Sequence, residues 1–468
     1  MSILFRFPFR DRKRLLQSSF FTFDMADIAP FRALRYDPQR VPLDRVVTQP
    51  YDKITPAMQE DYYSASPYNL VRVILGKSQP GDSEGSNTYS RAAANFQNWR
   101  KDGVLVQDPQ PSLYRYTQSF RVPASALGQA GHEHIELERV GLIAAGRIHD
   151  YSDQVVFRHE QTLSKPKSDR LNLLRATGAH FGQIFMLYSD AGSSVDSVLA
   201  SVIDRSAPDA CVTDEYGVVH RLWRVSDPAA IRAVQQRTGD MKLIIADGHH
   251  RYETALNYRN ESRAASGSSD PNAPYERVMM TLVNMDAPGL VILPTHRVVF
   301  GLKSFDLASL LSAAQPYFET VPLDSSTPFE SSLVRLQEEG RSGPSLLIST
   351  QQANLILRAR AGAADTLLPQ YTPAQRQLDV VQLHKVLLEK VLGLSEESIR
   401  NQENLVYVRE AAKAVERVQH GEAQIAFVMN PCRMEQVRDI AFAGGVLPQK
   451  STDFYPKLLS GLAMYSLD

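Results

Sequence analysis

Apolar and polar positions alternate along this chain in two rhythms, one of period two and one near 3.6, and together they lay out its elements. From Ile28 the stretches IAPFRALRYD and LDRVVTQPYDKIT read as short β-rich pieces broken by prolines. A helix is predicted to begin near Thr55-Pro56, because Thr caps well and Pro fits the first helical position. Leu70 to Leu75 reads as a strand. Thr88 to Lys101 carries Tyr89, Ala92, Phe96 and Trp99 on one helical face, and Gly103 ends it. SLYRYTQSFRV and RVGLIAAGRI read as neighbouring antiparallel strands, and QIFMLYSD and VVHRLWRV as two more. Helices are predicted after Ser168, which reads as a cap, within Gly192 to Ala207, and from Asp227 to Arg237. Ser262 to Pro274 is polar and rich in Gly, Ser and Pro, and reads as a loop, followed by the strands RVMMTLVNM and LVILPTHRVV.

Beyond about Phe300 the pattern changes. FDLASLLSAAQPYF, SSLVRLQEEG, VVQLHKVLLEKVLG and EAAKAVERVQHG are helical in period, whereas SLLIST, ANLILRA, NLVYV and AQIAFVMN are strand-like. This predicts a second α+β unit. The expected division is an α+β domain over 25–302, a second α+β domain over 303–468, and an extension over 1–24 that does not fold with the body. LLSGLAMYS near the C-terminus reads as a last strand.

Length supports more than one core, since the chain has 468 residues. Hydrophobic content of 43% and charged content of 22% describe a globular chain. A formal net charge of −1 gives no global field for nucleic acid or an anionic membrane. Cys211 and Cys432, the only two cysteines, exclude a disulfide framework and fit a reducing compartment, so a cytoplasmic protein is expected. No apolar run is long enough to span a bilayer.

Candidate chemistry concentrates in three stretches. The first is Leu243 to Leu256, where an apolar strand turns at Asp247-Gly248 and continues as a helix from His249. A helix start leaves unpaired N–H groups and carries partial positive charge. With His249, His250 and Arg251 on its first turn it suits a phosphate. The second is Arg158 to Arg170, with His159 and Glu160 as candidate catalytic groups and Lys165, Lys167 and Arg170 as contacts to a second phosphate. The third is Leu447 to Lys457, where Lys450, Ser451, Thr452 and Lys457 form a basic, hydroxyl-rich lid. Asp52, in Gln49-Pro50-Tyr51-Asp52, is a further candidate base, and Asp247 a candidate ligand for Mg²⁺.

Six ordered blocks resemble the bacterial and archaeal family of domain of unknown function 1015. They are Gln49 to Asp52, Pro67 to Arg72, His159 to Thr162 with Asp169-Arg170, Ala246 to Thr254, Pro294 to Arg297, and Pro448 to Lys457. More distantly, Asp247 to Ala255 is similar to the Gly-Gly-Cys-His-Arg-Tyr-Glu-Ala motif of sulfiredoxins. It also resembles the corresponding turn of ParB-type partitioning proteins and free serine kinases. This resemblance implies a mixed sheet of ParB/sulfiredoxin type with Gly248, His249, His250 and Arg251 on nucleotide phosphates. His249 stands where a sulfiredoxin has its cysteine, so sulfinic-acid reduction is not implied, and no helix-turn-helix follows. The expectation is a phosphotransferase moving phosphate from a nucleotide or pyrophosphate to a small hydroxyl compound, with serine the analogue. Two alternatives stay open: a ParB-like nucleotide-binding regulator without turnover, and a metal-dependent hydrolase using His159, Glu160, Asp247, His249 and His250.

Overall fold

A computed structural model describes residues 26–124, 134–160, 165–203, 206–268, 270–324 and 327–468, with the side chains of 165–167 excepted. The extension expected over 1–24 lies outside the described residues. Nine strands form a large mixed sheet. Across it run Val156–Arg158, Leu243–Asp247, Ile184–Tyr188, Arg277–Asn284, His134–Arg147, Leu113–Pro123, Val219–Val225 and Ala210–Thr213, with Ile28–Ala29 also pairing with His134–Arg147. Leu113–Pro123 and His134–Arg147 are antiparallel neighbours, as their alternation predicts. Leu243–Asp247 runs parallel to Val156–Arg158 and antiparallel to Ile184–Tyr188. A second sheet of six strands is antiparallel throughout, in the order Phe318–Pro322, Asn354–Ala359, Ser345–Ser349, Ile425–Met429, His296–Val299, Leu405–Val408. The fold is thus α+β. Among the described residues no helix is long and apolar enough to cross a membrane.

The helix Thr88–Lys101 forms as its period predicts, buries Ala92, Phe96 and Trp99, and is capped by the Asn87 side chain. Pro56–Ala65 begins at the Thr55 cap, whose hydroxyl accepts the Met58 N–H at 3.3 Å. Four expectations need correction. Val71–Ile74 is one helical turn, not a strand: the Asn69 carboxamide accepts the Val71 N–H at 3.0 Å and folds the short apolar run inward. The helix expected after Ser168 begins at Lys165. The polar stretch from Ser262 is helical as far as Ser266, ending at Gly267 with φ of 62°. LVILPTHRVV is two strands, because Pro294 has no N–H to continue a ladder: Val291–Leu293 pairs with Asp453–Tyr455, and His296–Val299 enters the second sheet.

The sheets do not divide at 302/303. His296–Val299 belongs to the six-stranded sheet, and the C-terminal segment returns to pair with short strands beside the large one, Asp453–Tyr455 with Val291–Leu293. Ser460 bridges to Thr48, Met464 to Leu34, and Tyr465–Ser466 pairs with Ala179–His180, so LLSGLAMYS supplies only a two-residue strand. Phe185, Ile244 and Ala246 of the large sheet share one apolar core with Phe454, Leu458 and Leu462 of the returning segment and Leu346 and Phe427 of the second sheet. That return carries Pro448 to Lys457 over the end of Leu243–Asp247.

Candidate functional site

Leu243–Asp247 is buried until its last residue and leads through Gly248 into the helix His249–Ser266. The ladder with Ile184–Tyr188 slips between Ile245 and Asp247, an irregularity that re-aims the side chains at the strand end. Gly248 has φ of 93°, which a side chain would strain, and a Cβ there would also stand 3.1 Å from the Arg251 guanidinium. No side chain caps this helix. Tyr252 locks it in place from behind: its buried hydroxyl donates to the His149 carbonyl at 2.8 Å and accepts the His149 N–H at 2.9 Å.

Asp247 is the centre of the charge network. One carboxylate oxygen takes Arg251 at 2.6 Å and the other takes Lys457 at 3.2 Å. Lys457 also reaches Asp453 at 3.2 Å, and Arg409 takes the second Asp453 oxygen at 2.5 Å. Lys457, Arg251 and Lys53 hold the Asp247 acid far below the usual carboxylate range in spite of its burial. The Lys457 ammonium is held above its ordinary value by Asp247, Asp453 and Asp52, which outweigh its own burial. Asp247 is therefore neutralised by side chains of this chain. It does not fit the expected role of a magnesium ligand, and no step below passes through a metal.

The two histidines do not add charge. His159 is fully buried, with Nδ1 at 2.6 Å from the Ile245 carbonyl and Nε2 at 2.7 Å from the Thr452 hydroxyl. A carbonyl only accepts, so Nδ1 carries the proton, and Nε2 of the neutral ring accepts from Thr452. Burial holds His159 down at about 4. His249 packs its ring 4.8 Å from that of His159, and its buried Nε2 has no hydrogen-bond partner. Burial and the His159 neighbour keep it well below the ordinary histidine value. The positive field expected of His249 is thus absent at neutral pH. The set proposed for a metal-dependent hydrolase is also not assembled: among the described residues no three His, Cys, Asp or Glu side chains could hold an ion. His250, on the same turn, is half-buried.

A pH prediction follows. The unfolded chain protonates His159 near 6.5, but the folded site refuses the proton until about 4. The His159 contribution to stability is therefore complete above pH 6.5 and is lost as pH falls toward 4. The denaturant midpoint is expected to fall across that window, and His159→Gln should flatten the slope.

Glu160 follows His159 and lies beside the returning segment, where its carboxylate accepts the Lys450 N–H at 3.1 Å. Burial raises its acid above the usual value, against the lowering effect of Lys450 and Lys457. Asp52 lies exposed on the turn Tyr51–Lys53, close enough to act on Lys457. Of the tail residues expected on phosphate, Ser451 donates to the Pro448 carbonyl and Thr452 to His159, so both hydroxyls brace the loop. Lys450 is exposed, and Lys457 is mostly covered and held in the ion pairs. Lys165 and Lys167 lie on the first turn of Lys165–Thr177, and their side chains are outside the description. Arg170 donates to the Ile74 carbonyl at 2.6 Å and stacks over Tyr51 at 4.1 Å.

Two cavities flank Gln49 to Lys53. One, of about 60 Å³, is lined by Tyr51, Arg170, Gly182, Arg251, Thr254 and Ser460. The other, of about 180 Å³, is lined by Gln49, Lys53, Asp214, Arg409, Tyr455 and Lys457. Asp247 thus joins Arg251, on the wall of the first, to Lys457, on the wall of the second.

Sequence reasoning missed Lys53, Asp214, Arg409 and Asp453, as well as two buried arginines. Arg139 donates to the carbonyls of Tyr455 and Pro456, and Arg297 to those of Gln449 and Lys450. They clamp the returning segment from both ends.

A family model described as a protein of unknown function, DUF1015, matches residues 28–381. The chain belongs to that family. A search of curated proteins gave no match. Among solved structures, this DUF1015 chain is similar to a conserved hypothetical protein from Pyrococcus furiosus at 13% identity and a TM-score of 0.32, covering 66% of this chain and 91% of that one. It is similar to a free serine kinase in complex with AMP at 13% identity and a TM-score of 0.33, covering 66% and 89%. A third likeness is to SbnI with a C-terminal truncation, from Staphylococcus aureus, at 10% identity and a TM-score of 0.32, covering 68% and 85%. At these scores the likenesses carry no argument about what the DUF1015 chain does.

Proposed function

We propose that this protein binds a phosphate-bearing donor, a nucleotide or pyrophosphate, beside Gly248, His249, His250 and Arg251 and transfers one phosphoryl group to a small hydroxyl compound. The observation that carries the reading is that Asp247 holds Arg251, on the wall of one cavity, and Lys457, on the wall of the other. The smaller cavity holds about two water volumes of ~30 Å³ each, room for one phosphate group, with Arg251 and Arg170 on its wall. Arg251 sits on the first turn of an 18-residue helix that no side chain caps, so the positive end of the helix dipole acts there too. The larger cavity, with Lys53, Arg409 and Lys457, suits the acceptor.

In the transfer, the acceptor oxygen attacks phosphorus, the bond from phosphorus to the donor's bridging oxygen breaks, and the shortened donor leaves with that electron pair. The acceptor proton goes to the Glu160 carboxylate. Burial makes Glu160 a stronger base than an exposed carboxylate, closer to the pKa that base catalysis needs near neutrality. Asp52, exposed on its turn, is the second candidate. His159 acts through Thr452, holding the tail against the motif strand.

Arg251 donates to the Gln183 carbonyl through Nη1 and to Asp247 through Nη2, and stands on the cavity wall. Arg251→Ala is expected to weaken donor binding by about 1.5–3 kcal/mol, the loss of one charged hydrogen bond. Arg251→Lys keeps the charge but not the planar fork and recovers only part of it. A phosphotransfer assay with labelled donors and a panel of small alcohols, serine among them, tests the reading. Transfer is expected; tight donor binding without transfer to any alcohol would favour the regulator instead.

A further inference from the structure

The second sheet has a polar cavity that the site above does not use. It encloses about 200 Å³ and has Arg341, Asp379, Asn430, Cys432 and Arg433 on its walls. It forms where the helix Phe329–Gly340 ends, the helix Met434–Phe442 begins, and the strand Ile425–Met429 gives out. The Asp379 carboxylate accepts the Ser345 N–H at 3.1 Å, the Asn430 N–H at 3.3 Å and the Asn430 Nδ2 at 3.1 Å. Those donors are all neutral. Burial pushes the Asp379 acid up to about 7, although Asn430, Ser345 and Arg433 each pull it down.

Asn430 spends its Nδ2 on Asp379 and, at 3.4 Å, on the Leu336 and Ser345 carbonyls. Its carboxamide oxygen is buried with no partner. The side chain is tightly seated, since a Cβ on Gly340 would come within 2.5 Å of Nδ2. A buried acceptor without a donor costs free energy unless a ligand supplies one. The floor of the cavity is therefore rich in acceptors, and the end of Phe329–Gly340 adds the negative pole of its dipole. The mouth has the opposite polarity. Arg341 and Arg433 are both exposed there, and Met434–Phe442 starts beside them with its positive pole. Burial pushes the Cys432 thiol up to about 12, so it is no nucleophile.

We propose that this cavity binds a small zwitterion, a free α-amino acid, with its ammonium against Asp379 and the Asn430 carboxamide oxygen and its carboxylate against Arg341 and Arg433. A simple anion would meet the buried Asp379, and a simple amine would leave both arginines unused. The volume equals roughly six to seven waters of ~30 Å³, the size of a ligand with five to nine heavy atoms. The site is separate from the phosphate site and stands or falls independently of it.

Calorimetric titration of the full chain with glycine, alanine, serine and threonine, beside ethylamine and propionate, tests this. At least one amino acid is expected to bind at millimolar concentration or tighter, with neither single-charge analogue matching it. The surface double variant Arg341→Gln/Arg433→Gln should keep the melting temperature and weaken that binding by about tenfold or more, the loss of one or more charged hydrogen bonds. Asp379→Asn should abolish it. Silence from all four amino acids, undiminished affinity in the double arginine variant, or equal binding of ethylamine would each overturn the proposal.

Discussion

Lys457→Met is expected to destabilise the fold by about 3 kcal/mol, the low end of the ~3–5 kcal/mol for breaking a buried ion pair. Lys457 stands between Asp247 and Asp453 at 3.2 Å from each, with its side chain 9% exposed and that of Asp453 8%. Methionine fills the volume but leaves both acids short of a cation. The cost stays at the low end because Arg251 still holds Asp247 and Arg409 still holds Asp453. Lys450 is the control. It lies on the same segment but is exposed, and Lys450→Met should change stability by no more than about 0.5 kcal/mol. Urea denaturation of the two variants makes the comparison. Equal effects would mean that the Asp247–Lys457–Asp453 chain does not tie the tail to the motif strand.

The largest effect on chemistry is expected at Glu160. Glu160→Gln keeps the shape and can still accept the Lys450 N–H through its carboxamide oxygen, so the returning segment should remain in place. What it loses is the proton acceptor. Turnover is expected to fall by about 10²–10⁴-fold with donor affinity unchanged. Asp52→Asn, on an exposed turn, should cost less. A larger loss at Asp52 than at Glu160 would exchange their roles. A loss of donor binding in Glu160→Gln would make Glu160 part of the donor site rather than the base. Transfer rates and donor affinities, measured separately on both variants, distinguish these outcomes.

Much of the scaffold was legible because it rests on local periodicity. Thr88–Lys101 and the hairpin of Leu113–Pro123 with His134–Arg147 bury long, regular apolar faces, and their pattern leaves little choice. The strand–turn–helix at Asp247-Gly248 was legible for the same reason, an apolar run stopped by a glycine at positive φ. Short runs were not. Val71–Ile74 has a strand's composition but turns on the Asn69 side chain, a competition that periodicity does not register. Pro294 splits a run of apolar residues between two sheets, and which strands receive the pieces depends on a segment more than a hundred residues later.

In the candidate site, position was easier to read than state. His159, Glu160, Asp247, Arg251 and Lys457 do converge. Their charges depend on partners remote in sequence. His159 is neutral because Thr452 and Phe454 close over it, and Asp247 is ionised because Lys457 reaches it from the tail. Lys53 and Arg409 sit in no dense motif, and Asp453, inside the third stretch, carries no sign of its partners; only the folded chain gathers them around Lys457.

Calorimetric titration of ATP, ADP, AMP and pyrophosphate into wild type and Arg251→Ala tests the central claim most directly. Saturable binding of at least one of them at millimolar concentration or below is expected, with Arg251→Ala weakening it by roughly tenfold to a hundredfold, the equivalent of the lost charged hydrogen bond. If none of the four binds wild type, or if affinity is the same in the variant, the turn at Asp247-Gly248 is not a phosphate site.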